Sequence, residues 1–333
     1  MKESAKTNRQ GTEQAPRRAL KKGRSAFCFG LLFCLAAAGV RGSENAPFMP
    51  FAQWTSLPKR GELRAAAFYQ ESEAYHIWVG NRYQDITWHK PDGERYGIDI
   101  TQGFISLDYG LTERWAADLS FGYTTVGWRA FANYGPVGRS YSTDGFMDTS
   151  FGVRYKIAGE GEENPTWMPQ WAPSLVFRAG AVVPGSFKKS FPFAPGNRSA
   201  SIQPQLLARK HFGWPGLGAY LDAAFRWNRT TANDQYLLGV GLFQQIKGWE
   251  LDVGYRRLGS VSGDNIRWTA PDTLYYPRSV REQYDSIEAG FSYTTPRKRI
   301  RYGFYSRTIF DGANTDRKFW VGGYVSAPFQ LFD

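Results

Sequence analysis

The stretch Trp115-Ala116-Ala117-Asp118-Leu119-Ser120-Phe121-Gly122-Tyr123-Thr124-Thr125-Val126 decides the fold. In an extended chain successive side chains point to opposite faces. Trp115, Ala117, Leu119, Phe121 and Tyr123 then share one face, and Ala116, Asp118, Ser120, Gly122 and Thr124 share the other. The pattern recurs about a dozen times along the chain, with bulky apolar groups on one parity and Asp, Arg, Ser and Gly on the other. A soluble barrel is greasy inside. A barrel with lipid outside and a polar lumen shows the inverse, as here.

Working outward from this stretch, twelve strands are predicted at 62–71, 98–109, 115–126, 145–157, 174–184, 200–212, 217–228, 235–246, 249–258, 283–293, 299–309 and 318–329. A hairpin within 75–88 would raise the number to fourteen. Each strand is long enough for a tilted crossing of the hydrocarbon layer. If the first strand runs outward, the loops after odd strands are long: 72–97, 127–144, 185–199 and 259–282, with 229–234 and 310–317 shorter. The turns 110–114, 213–216, 247–248 and 294–298 after even strands are short, and only 158–173 breaks the rule. Long outer loops and short periplasmic turns are the asymmetry of outer-membrane barrels. The fold class expected is therefore all-β, a transmembrane antiparallel β-barrel occupying residues 61–333.

The alternation also assigns faces. Phe151, Val153, Phe177, Leu221, Phe225 and Trp227 fall on the lipid parity. Arg64, Asp108, Asp118, Asp148, Arg154, Lys156, Arg178, Arg209, Asp222, Arg226, Glu250, Asp252, Arg256, Glu288, Arg301 and Arg307 fall on the lumen parity. An Arg or Lys facing lipid at mid-depth would cost about 2–4 kcal/mol, so the register follows the charges. Pro204 lies within the sixth strand and predicts a local distortion.

Residues 1–42 read as an export signal. Residues 1–24 carry eight Lys/Arg, an apolar stretch runs from Ser25 to Val40, and Val40 and Gly42 are small enough for cleavage after Gly42. Residues 43–60, with Pro47, Pro50 and Pro58, are expected to form a short periplasmic segment, able at most to cap the inner mouth. Cleavage would remove nine basic and two acidic residues and bring the net charge from +11 to about +4. The isoelectric point near 9.5 is then mostly signal peptide and gives no argument for nucleic acid. A mean hydropathy of −0.47 does not exclude a membrane, since a β-span needs only alternate apolar residues. Both cysteines, Cys28 and Cys34, precede Gly42, which excludes disulfides and thiol chemistry from a cleaved chain.

No catalytic constellation is visible. The three histidines, His76, His89 and His211, lie in the first outer loop or near a periplasmic strand end. Nucleophilic catalysis needs a base within hydrogen-bond reach of the nucleophile, and no Ser–His pair stands out. His76 and His89 lack a third metal ligand. Glu160, Glu162 and Glu163 form an acidic periplasmic turn, open to solvent or to calcium. No enzyme, cofactor or metal is expected.

The segment Tyr109-Gly110-Leu111-Thr112-Glu113-Arg114-Trp115 resembles the "YGLTDRW" hairpin of the meta-pathway phenol-degradation family of bacterial outer-membrane proteins, often described as transporters. Gly145 to Tyr155 is similar to that family's "GxGDxxLGxRY" strand, and Pro173-Ser174-Leu175 through Pro184-Gly185 to its following strand. Asn314-Thr315-Asp316 sits where such proteins carry a last outer loop. The resemblance implies an outer-membrane transporter barrel, distantly like the fatty-acid transporters, with organic or aromatic solutes as the expected class. The chain departs in ending on Phe332-Asp333 rather than on an aromatic residue, and in lacking length for a substantial N-terminal plug.

Two functions stay open at this point. One is a channel or transporter for small solutes, with Arg64, Arg154, Arg178, Arg226, Arg256, Arg301, Asp148, Asp222, Asp252 and Glu288 along the path. Its inward arginines would give a fixed positive field, partly cancelled by the acids. The other is a closed structural or surface-binding barrel whose inward charges pair across a filled lumen. Expected partners are outer-membrane lipid, the barrel-assembly machinery and a small solute.

Overall fold

In the computed structural model, residues 55–332 are described except 87, 90–94, 130–139, 162–163, 165–167, 170, 187–198, 214, 230–232, 271–272 and 276–279. The expected signal peptide, residues 43–54, Glu162 and Glu163 lie outside the described residues, as does the side chain of His89.

Twelve antiparallel strands close into a barrel: β1 (Glu62–Val79), β2 (Ile98–Gly110), β3 (Trp115–Arg129), β4 (two segments, Ser140–Phe146 and Thr149–Ala158), β5 (Ser174–Val183), β6 (Ser201–His211), β7 (Leu217–Asn228), β8 (Gln235–Ile246), β9 (Trp249–Ser260), β10 (Gln283–Thr294), β11 (Arg301–Ala313) and β12 (Asp316–Gln330). Each pairs with its sequence neighbours, and β12 pairs with β1 from Glu62↔Gln330 to Ala74↔Lys318. No helix is present among the described residues.

The 75–88 segment does form a hairpin, but not two further barrel strands. It prolongs β1 to Val79, and Arg82–Asp85 returns along it without joining another strand. The expected loop 310–317 is also corrected. β11 runs to Ala313 and β12 begins at Asp316, so the chain reverses through Asn314–Thr315 with Asn314 at φ 55°. Asn tolerates this left-handed conformation better than most residues. The turn Lys247–Gly248 has positive φ at both positions, the geometry that matches the twist of a two-residue hairpin.

Pro204 pairs with Ala179 of β5 and leaves the β6–β7 register unshifted, from Ile202↔Trp227 to Gln205↔Ala224. The distortion sits elsewhere, at Met147–Asp148, where β4 is interrupted. There the Gly185 amide donates to the Asp148 carboxylate (3.0 Å). Asp148 thus holds the outer end of β5 to the break in β4.

The outer surface is an apolar band. Trp115, Phe151, Phe177, Leu221, Trp227, Leu251, Ile287, Phe304 and Val321 are all exposed. Interfacial aromatics lie beside the inner turns: Trp115 against Tyr155 (4.7 Å) and Trp249 against Tyr293 (4.6 Å). The opposite parity is buried and polar, with Gln102, Thr124, Asp222 and Ser286 fully enclosed. Apolar exposure on this scale, wrapped around a closed polar interior, requires a hydrocarbon solvent. The chain is an outer-membrane β-barrel.

Candidate functional site in the barrel lumen

The inward side chains form two differently built walls. On β1–β5 they make a continuous chain of alternating charge. Glu62 takes the Arg299 guanidinium (2.9 Å) and lies 3.6 Å from Arg64, which lies 3.9 Å from Asp108. Arg154 bridges Asp108 and Asp118, the latter at 3.7 Å. Arg178 then donates Nε (3.0 Å) and Nη2 (2.6 Å) to Asp118 and Nη2 to Ser150 (3.0 Å). Register brings them together, because Arg64↔Asp108, Asp108↔Asp118 and Arg154↔Arg178 are direct cross-strand partners. Arg178 is 2% exposed and lies flat over Gly152 and Gly180. A Cβ at Gly180 would stand 2.1 Å from its Nη1.

Across the lumen, Arg209 (3.1 Å) and Arg301 (2.7 Å) share Glu250, and Arg256 (3.1 Å) and Arg307 (3.8 Å) share Glu288. On β6–β8 the partners change character. Asp222 takes its hydrogen bond from the Gln205 amide (2.7 Å). Arg226 donates Nε and Nη2 to the Gln203 amide oxygen (both 3.0 Å) and Nη1 to that of Gln235 (3.5 Å). Asp252 lies against the backbone of Gly290, its cross-strand partner.

The walls are lined by flat rings where they approach closely. The Tyr220 phenol covers Gly241 and Gly254, leaving no space there for a Cβ. Phe68 stacks on Phe104 (4.6 Å) and Tyr324 (5.2 Å), with Tyr305 in the same cluster.

Both mouths are partly covered. At the inner end, Thr55 is buried and Leu57 packs against Val176, Leu207, Tyr220 and Phe243. The Ser56 carbonyl accepts from Arg64 Nη1 (3.1 Å), tying this segment to the charged wall. At the outer end, Trp78, Leu258, Tyr284 and Ile309 form a buried cluster. Above it Asn314 joins three connections: its side-chain oxygen accepts from the amides of Gly80 and Ile266 (both 2.9 Å), and its Nδ2 donates to Asn265 (2.9 Å) and to the Arg281 carbonyl (2.6 Å). Along β3–β7, inward Ser120, Ser150, Gln203 and Arg226 are half-buried rather than enclosed.

The structure thus places Arg64, Arg154 and Arg178 in one charge chain, Arg256 and Arg301 in carboxylate pairs, and Arg226 among amides. Asp148 stands apart at the β4 break. Sequence reading missed Glu62 and the amides Gln203, Gln205, Gln235 and Gln245. Glu62 shares the parity of Arg64 and was legible; the amides carry no charge signal.

Outside the lumen, Glu160 anchors the long inner connection 159–173. It accepts from the His211 amide (3.0 and 3.1 Å) and ring Nδ1 (2.8 Å) and from Lys210 (2.9 Å). Partial burial would raise its pKa, but the hydrogen bonds from His211 and Lys210 win and hold it below the usual carboxylate range. His76 stacks on Tyr83 (4.7 Å). No group of three or more His, Cys, Asp or Glu able to hold a metal occurs among the described residues.

No family model and no curated protein matches the chain. Solved structures do. An outer-membrane channel from Pseudomonas putida F1 superposes with a TM-score of 0.59 at 14% identity, over 82% of this chain and 97% of that one. The translocator domain of the autotransporter NalP from Neisseria meningitidis gives a TM-score of 0.43 at 13% identity, over 92% and 97%. The first likeness is one of fold, and it is the fold of an outer-membrane β-barrel.

Proposed function

We propose that the protein is a narrow outer-membrane channel for small solutes. The observation that supports this reading is that inward Ser120, low on β3, Ser150, Gln203 and Arg226, near the outer end of β7, are half-buried rather than enclosed, leaving polar groups within reach of water in the lumen. A barrel needing only to be filled has no use for polar groups left open to water. The likeness to the Pseudomonas putida outer-membrane channel and the resemblance of Tyr109–Trp115 to the phenol-degradation transporters support the same reading, and the latter suggests organic or aromatic solutes.

Among the described inward charges without an oppositely charged partner within 4 Å, Asp222 and Asp252 are buried and Arg226 is half-open, so selectivity by sign is weak and rests on Arg226. A fixed guanidinium without a carboxylate partner favours anions at every physiological pH. Single-channel recording of refolded protein in a salt gradient tests this. A small conductance with a reversal potential shifted modestly toward the anion is expected. Absence of conductance, with no solute entry into proteoliposomes, overturns the reading.

One observation favours a second reading. Leu57 and the Trp78 cluster cover opposite ends of the lumen, as a closed structural barrel would require. Removal of residues 43–57 separates the two: a channel stoppered by this segment gains conductance, whereas a filled barrel does not.

A further inference from the structure

Every inward arginine of the lumen but one has a carboxylate partner among the described residues. Arg64, Arg154, Arg178, Arg209, Arg256, Arg301 and Arg307 each lie within 4 Å of Asp or Glu. Arg226 does not; its hydrogen bonds go to the amide oxygens of Gln203 and Gln235. An amide oxygen orients a guanidinium but leaves its charge uncompensated. A guanidinium has five N–H donors in a planar fork. Nε, one Nη2 and one Nη1 hydrogen are used here, leaving one on each Nη nitrogen. Arg226 is half-buried on the lumen parity, two residues from the outer end of β7, so these two donors stay within reach of a solute.

A second unfilled group lies beside it. Ser201 is 4% exposed and its hydroxyl has no hydrogen-bond partner among the described residues. It is the cross-strand partner of Asn228 and stands two residues before Gln203 on β6, which puts it on the same wall, two residues further toward the outer end than Arg226. A buried hydroxyl without a partner costs free energy that a ligand oxygen would recover. A two-pronged cation held by amides, with an unfilled hydroxyl two residues further out on the neighbouring strand, matches a planar group with two oxygens.

We propose that Arg226, held by Gln203 and Gln235 and assisted by Ser201, is a binding site for the carboxylate of a small organic acid entering from the outer face. The site rests on the channel reading for its purpose but not for its chemistry, so binding and passage are measured separately. Benzoate and its neutral isostere benzamide are titrated into detergent-folded protein by calorimetry, and each is added to the outer side during single-channel recording. Benzoate binding with no measurable benzamide binding is expected. In Arg226→Gln benzoate affinity falls about tenfold or more, the size of one lost charge-assisted interaction. Arg226→Lys, which keeps the charge but not the fork, falls in between. In recordings, benzoate but not benzamide interrupts the current. Equal binding of the two ligands, or benzoate affinity unchanged in Arg226→Gln, overturns the site even if the protein conducts. Selective, Arg226-dependent binding without any conductance keeps the site and overturns the channel.

Discussion

The β1–β5 wall and the β6–β8 wall come from the same alternation of apolar and charged residues, yet they hold charge in opposite ways. On the first, each inward carboxylate meets guanidinium on both sides, from Glu62 through Asp118. On the second, Asp222 and Arg226 meet amides. The difference shows that parity says which residues enter the lumen, while the identity of the cross-strand neighbour says what they do there. Opposite charges within reach, mostly off the direct ladder pairing as in Arg154 to Asp108 and Arg178 to Asp118, close a wall. Amides leave a charge available.

Four measurements break or sharpen this contrast. The largest effect is expected at Arg178→Met, which removes the close partner of Asp118 and leaves it the longer Arg154 contact of 3.7 Å. Removing one member of a buried pair typically costs about 3–5 kcal/mol. Urea unfolding of the refolded barrel should show a loss of this order, with part regained in Arg178→Met/Asp118→Asn. If the single variant is as stable as the parent, the first wall is not the load the contrast makes it.

Gly180→Ala comes next. Its Cβ would meet the Arg178 guanidinium, which Asp118 prevents from moving away. Overpacking of this kind costs about 1–3 kcal/mol. An unchanged unfolding midpoint would mean that Arg178 has room the geometry denies.

Arg226→Gln is expected to lower stability by about 1 kcal/mol or less, since it removes hydrogen bonds to neutral groups at a half-buried site. Its effect belongs to selectivity: the anion-shifted reversal potential should move toward zero. A stability loss as large as that of Arg178→Met would erase the distinction between the walls.

The smallest effect lies outside both. Glu160 has a folded-state pKa below its unfolded value, so its contribution is present above the ordinary carboxylate pKa and fades as pH falls through the depressed one. Glu160→Gln should cost below about 1 kcal/mol at neutral pH, as for an exposed pair. The variant and parent should converge in acid. A gap that persists at low pH would point to packing rather than charge.

Much of this architecture was legible in the residues. Trp115 to Val126 is one strand with the faces its alternation gives, and the charges at 64, 154, 178, 226, 256 and 301 lie on the inward parity of paired strands. The misread parts share a physical cause. Polarity alone reads as loop, but β1, β11 and β12 run past the hydrocarbon layer, where polar strand residues such as Glu73 and Arg317 face water. The break at Met147–Asp148 shifts the parity of the residues before it by one, which alternation alone cannot reveal. Pairing partners were invisible because register between strands distant in sequence depends on turns and breaks that no single strand encodes.

The seam between β1 and β12 joins the first strand to the last, residue 62 to residue 330. It cannot exist while the chain is still emerging, and every other ladder joins neighbours in sequence. Until the seam forms, the nascent sheet has two open edges with unpaired amides, which hydrocarbon does not tolerate. Arg299 to Glu62 and the Leu331 amide to the Gly61 carbonyl (both 2.9 Å) fasten the inner end of this seam. Assembly is therefore an all-or-nothing event in time: loss of the last strand does not give a slightly smaller barrel, but leaves an open ribbon for the cell's proteases.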